Sequence, residues 1–598
     1  MLMTPAHPGH HPSTPSPAYS PVVTEGEASK RDRGAVAVWF ALSLTVLLGM
    51  AGFGTDLARL YLTASRAQNA ADAAAMAGVV FMPANFTQAR STAITISANH
   101  GFSAPTVTTG ASPNQIRVTT ALTVNTSFVK LLGVPNFTVR RTALAEYEQP
   151  VAMGSPDPNL GNDPDNNILP QYWLNISGPQ TDKSQGERYG AKPCGASGAT
   201  EFCTTATTPN NAEYSTDGYF FGVRGVAGQT LRIQLWDAAY YPGGLRCNAG
   251  PWPSAAERTT LQTWYPDAST RYAGEPTTGT APVSKWCTGD VAFLGTSTAA
   301  SLLARTSVVV RAPDITPWTD NDNPIISTCS KHFPGFPQGT SAGTNIYRYL
   351  HPSDGVADAQ AIRNPTDGVY TFAETFRQWA TVCDIPAAVD GDYIVQIRAN
   401  ASALDPTVYD ASVSFEGQNH FSMRVGQANG ANGVTTTGYN VYARGRLPIF
   451  ANASGTTFKA ARVLPGASNR TLQLNLFDIG DVASGGSLSD VLYFTPSPDV
   501  TLNGSPMTSF SGCVFRHSGG VALTGANPSN CSLAGVVSSI YQGKIVTVEI
   551  PIPNGYGCNT ASATGCWVNV LPSYVTAVPT DATTWSATMI GTPVRLVQ

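Results

Sequence analysis

A run of 22 residues without one charge, GAVAVWFALSLTVLLGMAGFGT at positions 34–55, constrains this chain more than any other feature. At 1.5 Å per residue, about 20 helical residues cross a hydrocarbon layer of about 30 Å. The run is long enough, so it reads as a transmembrane helix. Lys30, Arg31 and Arg33 stand on its N-terminal side. The positive-inside rule then keeps the N-terminus in the cytoplasm and sends the C-terminal bulk out. A signal-peptide core is shorter and is not usually preceded by 33 residues, so an uncleaved signal anchor is expected. Ala37, Ala41, Thr45 and Gly49 recur every four residues along the run. They form a stripe of small side chains that either packs against another helix or faces lipid.

Residues 1–33 are rich in Pro and polar residues and lack an apolar period, which reads as a disordered cytoplasmic tail. His7, His10 and His11 lie in it with nothing nearby to fix a metal geometry. Ten cysteines all lie beyond residue 190: Cys194, Cys203, Cys247, Cys287, Cys329, Cys383, Cys513, Cys531, Cys558 and Cys566. Their number is even and no Cys-x-x-Cys occurs, so neither a zinc ribbon nor a redox motif is indicated. Their confinement to one side of the apolar run points to an oxidising compartment for that side, independently of the basic cluster. Charged residues are only 12% of the chain and the net charge is −4, so no basic face for nucleic acid is implied.

The helical pattern continues past the apolar run. Residues 56–80, DLARLYLTASRAQNAADAAAMAGVV, contain no Pro and many strong helix formers. Leu57, Leu60, Tyr61, Ala64, Ala67, Ala71, Ala74 and Gly78 follow helical spacing on one face, with Arg59, Arg66, Asn69 and Asp72 mostly off it. The basic residues before an apolar helix, then Asp56, a Tyr-Leu pair and the run Gln68-Asn69-Ala70-Ala71-Asp72-Ala73-Ala74-Ala75 resemble the N-terminal region of Tad (tight adherence, or Flp pilus-assembly) proteins of the TadG-like type. A second helix near 85–99, a strand near 115–125, a helical turn at Ser127–Gly133 and a strand near 137–147 extend the resemblance over about residues 31–148. TadE-type pseudopilins carry a Glu five residues after the Gly at which prepilin peptidase cuts. Here the Gly would be Gly34, and Trp39 holds the Glu position. The resemblance therefore implies a membrane-retained accessory protein of a pilus system rather than a processed fibre subunit.

From residue 149 a turn-rich stretch leads into strand patterns, among them Tyr219–Val223, Leu231–Trp236, Ser307–Arg311, Tyr393–Arg398, Phe421–Val425, Leu472–Phe477, Lys544–Ile550 and Trp567–Leu571. GVRGVAGQTLRIQLWD at 222–237 aligns without gaps to VLPGASNRTLQLNLFD at 463–478. Its period of two puts Leu231, Ile233 and Leu235, and likewise Leu472, Leu474 and Leu476, on a core face. Arg232, Gln234, Gln473 and Asn475 are expected toward solvent, and Asp237 and Asp478 should close the strands in equivalent turns. The expected fold is thus mainly β: a transmembrane helix (34–55), a helical stalk with a small α+β module (56–148), and two related β-sandwich, jelly-roll-like domains (149–415 and 416–598). Pairing the cysteines in sequence order would give five local bridges, although sequence alone does not fix connectivity.

Few residues suggest chemistry. Asp410-Ala-Ser412-Val-Ser414 matches the D-x-S-x-S metal motif of von Willebrand A domains but lacks the preceding apolar strand and following helix. Asp157, Asn159, Asp163, Asp165 and Asn167, and again Asp320, Asp322 and Asn323, make oxygen-rich loops of a kind that binds calcium weakly; they are also ordinary turn formers. His332 follows Cys329 and His517 follows Cys513 at spacings a Cys–His nucleophile site could use, without a supporting glycine or helix signature. No H-E-x-x-H or phosphate loop occurs, so neither an enzyme nor a cofactor is expected. Two functions remain. One is a membrane-anchored envelope component of a Tad-type pilus or adhesion system, with pilus-assembly or envelope proteins as partners. The other is a surface-displayed binding protein for carbohydrate or protein, for which Trp252, Trp264, Trp286 and Trp318 would form an exposed strip.

Overall fold

A computed structural model describes residues 32–82, 86–110, 115–147, 151–169, 172–190, 194, 203, 211–245, 247, 252–274, 285–293, 305–313, 319–333, 335, 346–352, 362–364, 368–370, 372–399, 401–402, 405–410, 415–451, 457–481, 489–520, 523–574, 580–590 and 594–597. The histidines of the N-terminal tail, Trp318 and positions 411–414 of the D-x-S-x-S match lie outside the described residues.

The transmembrane run and the stalk are one helix, α1 (Asp32–Val79), which is long and apolar enough to cross a membrane. Its side chains are exposed along the apolar half. Burial begins at Gly52 and Asp56 and deepens at Ala67, Ala70, Ala71, Ala74, Ala75 and Val79. The Ala-rich face therefore packs as the spacing suggests, whereas Leu57 and Tyr61, expected on that face, point outward. Against it lie α2 (Phe86–Asn99) and a sheet of β1 (Thr106–Thr109), β2 (Gln115–Asn125) and β3 (Asn136–Tyr147). Small residues permit the close approach: a Cβ on Gly78 would come within 2.7 Å of the Ala89 carbonyl oxygen.

Beyond this module the chain is mainly β, and sixteen of its described strands fall into two sets of eight. The first set is β4 (Tyr172–Ser177), β5 (Tyr219–Gly225), β6 (Thr230–Trp236), β7 (Thr306–Arg311), β8 (Lys331–Phe333), β9 (Trp379–Pro386), β10 (Gly391–Arg398) and β11 (Gly417–Asn429). The second is β12 (Arg446–Ala451), β13 (Phe458–Arg462), β14 (Thr471–Phe477), β15 (Val491–Pro496), β16 (Ser532–Ala534), β17 (Ile545–Pro551), β18 (Trp567–Ser573) and β19 (Asp581–Ile590). In the first set the hydrogen-bonded orders are β9-β6-β11-β4 and β8-β7-β10-β5; in the second they are β17-β14-β19-β12 and β16-β15-β18-β13. Counting strands from the start of each set, both orders read 6-3-8-1 and 5-4-7-2, and every pairing within them is antiparallel. β4 pairs with β12, so the first-named rows of the two sets join; with the short strands Asn159–Leu160, Val291–Ala292, Gly433–Thr435 and Val514–His517 they make one twelve-stranded sheet.

The 16-residue sequence match therefore extends to the whole strand order. Leu231, Ile233 and Leu235 on β6, and Leu472, Leu474 and Leu476 on β14, are buried in one apolar core. Asp237 and Asp478 both adopt positive φ, 54° and 59°. Each sends its N–H to the residue just before the returning strand: Asp237 to the Gln378 carbonyl at 3.1 Å, Asp478 to that of Lys544 at 2.9 Å. Each carboxylate takes the N–H of the residue before that one, Arg377 at 2.8 Å and Gly543 at 2.6 Å. Arg377 and Gly543 are again left-handed, at φ 50° and 65°.

Two expectations need correction. No break between sheets falls at 415/416. β11, beyond that position, lies between β6 and β4 and completes the first set, and the change of sheet comes at Gly445, between Val441–Arg444 on β5 and Arg446–Ala451 on β19. Arg232 and Gln234 do not face solvent. Both are buried, because β11 runs on into a turn that folds over the outer face of β6. There Arg232 donates to the Gly430 and Gly433 carbonyls at 3.1 and 2.9 Å and to Asp384, and Gln234 donates to the Asn432 carbonyl at 3.0 Å. Gln473 and Asn475 on β14 have no such cover among the described residues and are half-buried. Finally, β20 (Val594–Leu596) returns to the N-terminal module and pairs with β3.

Candidate functional site

The first turn of any helix carries backbone N–H groups with no partner inside the helix. The short 3-10 turn Val129–Leu132, at the tip of the β2–β3 hairpin, has this need, and its capping residue Phe128 makes no side-chain cap. The acceptor comes from 71–73 residues earlier: the Asp56 carboxylate accepts the N–H groups of Ser127 (2.9 Å), Phe128 (2.7 Å) and Val129 (2.8 Å). Arg59, one turn on, donates to the Ser127 hydroxyl at 3.1 Å. The N–H of Val129 above all, then that of Ser127, holds the Asp56 carboxyl below its usual range against the opposing effect of burial. Gly52 sits one turn below, and a Cβ there would overlap the Phe128 ring. Thr120 adds a bond from β2 to the Ala67 carbonyl at 2.9 Å. The result is a mechanical staple: an ionised acid, satisfied by three backbone donors, locks the hairpin to α1 where its apolar half ends.

Asp56 marked the family resemblance, but its partners were not foreseen. The available signal was an acid after an apolar helix together with a short helical turn at Ser127–Gly133 lacking a capping side chain of its own.

Ala37, Ala41, Thr45 and Gly49 are all exposed along the apolar half of α1, and nothing lies within 4 Å of a Cβ built on Gly49. Among the described residues, none covers this stripe. The ten cysteines form five pairs in sequence order: Cys194–Cys203, Cys247–Cys287, Cys329–Cys383, Cys513–Cys531 and Cys558–Cys566, with Cα–Cα distances of 5.3, 5.9, 5.2, 5.4 and 5.2 Å. Asp499 approaches Cys558 and Cys566, but their sulfurs are bonded to each other rather than free as thiolate ligands.

The remaining candidates are filled by other groups. Asp163 pairs with Arg424, Asp165 with Arg271 and Asp320 with Arg444, and Asn167 accepts from Lys285. Cationic side chains thus already pair with three of these carboxylates. The thiols that a Cys–His site would need at Cys329 and Cys513 are in bridges. His332 is buried against the Ser307 hydroxyl at 2.8 Å, and burial first, then Arg305, pulls it down to about 4. Trp252 and Trp286 are half-buried, with Arg377 over the first and Arg271 and Lys285 over the second, while Trp264 is exposed. The three described members of the expected tryptophan set do not form an exposed strip.

Residues 34–84 match the family model described as putative Flp pilus-assembly TadE/G-like. The match covers most of α1, including Gly52 and Asp56. No curated protein and no solved structure matches the chain.

Proposed function

We propose that this chain is a membrane-anchored structural or assembly component of a Tad/Flp-type pilus or adhesion apparatus, with its β-rich bulk outside the cytoplasm. The observation that carries this reading is the coincidence of the family match at 34–84 with the membrane-crossing helix and the Asp56 staple. Trp39 at the position of the pseudopilin Glu favours a retained accessory role over that of a fibre subunit. The orientation follows from the basic cluster Lys30–Arg33 and from the placement of all ten cysteines beyond the helix. We read the two strand sets as a pair of jelly-roll sandwiches. The repeated 6-3-8-1 and 5-4-7-2 orders support this, as does the apolar core lined by strands of both sheets.

A second reading, a surface-displayed binder of carbohydrate or protein, draws on a cleft of about 540 Å³ beside β9, lined by Tyr265, Lys331, Glu374, Gln378, Trp379 and Asp384 among others. Deletion of the coding sequence in the host, with and without complementation by the full chain, separates the readings. An assembly role predicts loss of surface fibres and of attachment. Intact fibres with attachment lost to one surface would favour the binder, and unchanged fibres and attachment would refute both. A reporter fused after Glu148 should be active only outside the cytoplasm; activity confined to the cytoplasm would overturn the orientation.

A further inference from the structure

We infer that the β2–β3 hairpin tip, Phe128–Gly133, is a second membrane contact, seated in the interfacial layer of the bilayer beside α1 with Leu131 and Leu132 among the lipid chains. The inference rests on residues 34–55 crossing the membrane, and goes beyond that reading.

The tip is apolar and uncovered. Leu131 is 84% exposed, Leu132 78% and Phe128 45%, in a segment of only five residues. On the arms just above it, Leu122 and Phe137 are exposed as well. Such a cluster is costly in water and is found where a partner or a lipid phase covers it. The height of the tip selects lipid. Its Phe128 ring lies on Gly52, three residues inside the end of the uncharged run, and its backbone is tied to Asp56. Exposed apolar side chains continue up α1 past both positions, through Phe53 and Leu57 to Tyr61 and Leu62. The tip therefore sits level with, or below, the last lipid-compatible surface of the helix that carries it, and the two apolar surfaces are continuous.

The polar groups at this level suit an interface. The Asp56 carboxylate has three backbone donors, so its charge is met without water, a condition for an acid at that depth. Lys130, exposed within the tip, can extend its ammonium to lipid phosphates while its stem stays apolar. Tyr61 is 76% exposed, an aromatic at headgroup level of the kind that belts membrane helices. Two contacts, helix and tip, would fix the rotation of the outer region about the helix axis, which a single helix cannot do.

The test uses the full chain in vesicles of phosphatidylcholine and phosphatidylglycerol. All ten native cysteines are paired, so Leu131→Cys and, separately, Leu132→Cys offer the only labelling thiols for an environment-sensitive fluorophore. Leu47→Cys serves as the in-membrane control and Val389→Cys, exposed on the first strand set, as the aqueous one. Lipid carrying a nitroxide near its glycerol should quench the tip labels at least twofold more than the Val389 label, with iodide doing the reverse. Tip labels as open to iodide as Val389, with no lipid quenching, would overturn the inference. So would labels shielded from both quenchers only at high protein-to-lipid ratio, an outcome that assigns the tip to a second copy of the chain. If the Leu47 label escapes deep lipid quenching, the membrane reading itself falls, and that result is distinct from failure at the tip alone.

Discussion

Truncation of Gln234 on β6 should cost far more than truncation of its repeat counterpart Asn475 on β14, although the two occupy the same place in the sequence match. The Gln234 side chain accepts from Arg424 Nε and Nη2 at 3.0 and 2.7 Å and donates to Thr381 Oγ1 at 3.2 Å and the Asn432 carbonyl at 3.0 Å. Arg424 is itself largely buried between Trp379 and Asp163. Gln234→Ala leaves a guanidinium without one acceptor in a place water does not readily reach. The loss of a hydrogen bond to a charged group, with its partner left desolvated, costs about 2–3 kcal/mol. Asn475 accepts from Thr547 Oγ1 at 2.8 Å and donates weakly to Ser586 Oγ at 3.4 Å. It is half-buried, so water can replace it and Asn475→Ala should cost under about 1 kcal/mol. On the opposite face the repeats should agree: Leu235→Ala and Leu476→Ala each remove a fully buried leucine, at about 2–5 kcal/mol. A chain of this size need not unfold in two states. The assay is therefore hydrogen exchange of β6 and β14 in the full chain in micelles, alongside its thermal midpoint. A Gln234→Ala effect no larger than that of Asn475→Ala, with β6 protection unchanged, would refute the assignment of a buried polar layer to the first strand set.

Glu187 is buried under the Tyr219 hydroxyl, and burial raises it from 4.5 to about 8. Its contribution to stability is full below pH 4.5 and is lost as pH rises through about 8, so Glu187→Gln should flatten the decline in thermal midpoint between pH 5 and 9, and an unaltered slope would count against it. Reduction of the bridges should destabilise in order of loop length. Cys329–Cys383, at separation 54, should contribute about 4 kcal/mol, and Cys558–Cys566, at separation 8, about 2.5 kcal/mol. Paired Cys→Ser variants read by thermal midpoint check this order, and an inverted one would refute loop closure as the cause. With Trp39 at the pseudopilin Glu position, N-terminal sequencing of protein from the host should not find Ala35 as the first residue.

Local order was legible wherever one short stretch fixes its own environment. The uncharged run 34–55, the alanines from Ala67 to Ala75, and the alternating leucines of β6 and β14 each declare a buried or lipid-facing side by their own period. The cysteines, spaced within compact loops, sit next to their sequence neighbours. Tertiary structure decided the rest, because the other face of a strand is covered or bare according to what crosses it later in the chain. Arg232 and Gln234 lie under a turn at 430–433, about 200 residues on, whose carbonyls accept from both; among the described residues no such turn lies over Gln473 and Asn475, which are half-buried in the same pattern. β11 belongs to the first set for the same reason: it fills the gap between β6 and β4, a fact its own alternation does not record. The Asp56 staple and the return of Val594–Leu596 to β3 join segments 71 or more residues apart, and no periodicity encodes a partner at that range.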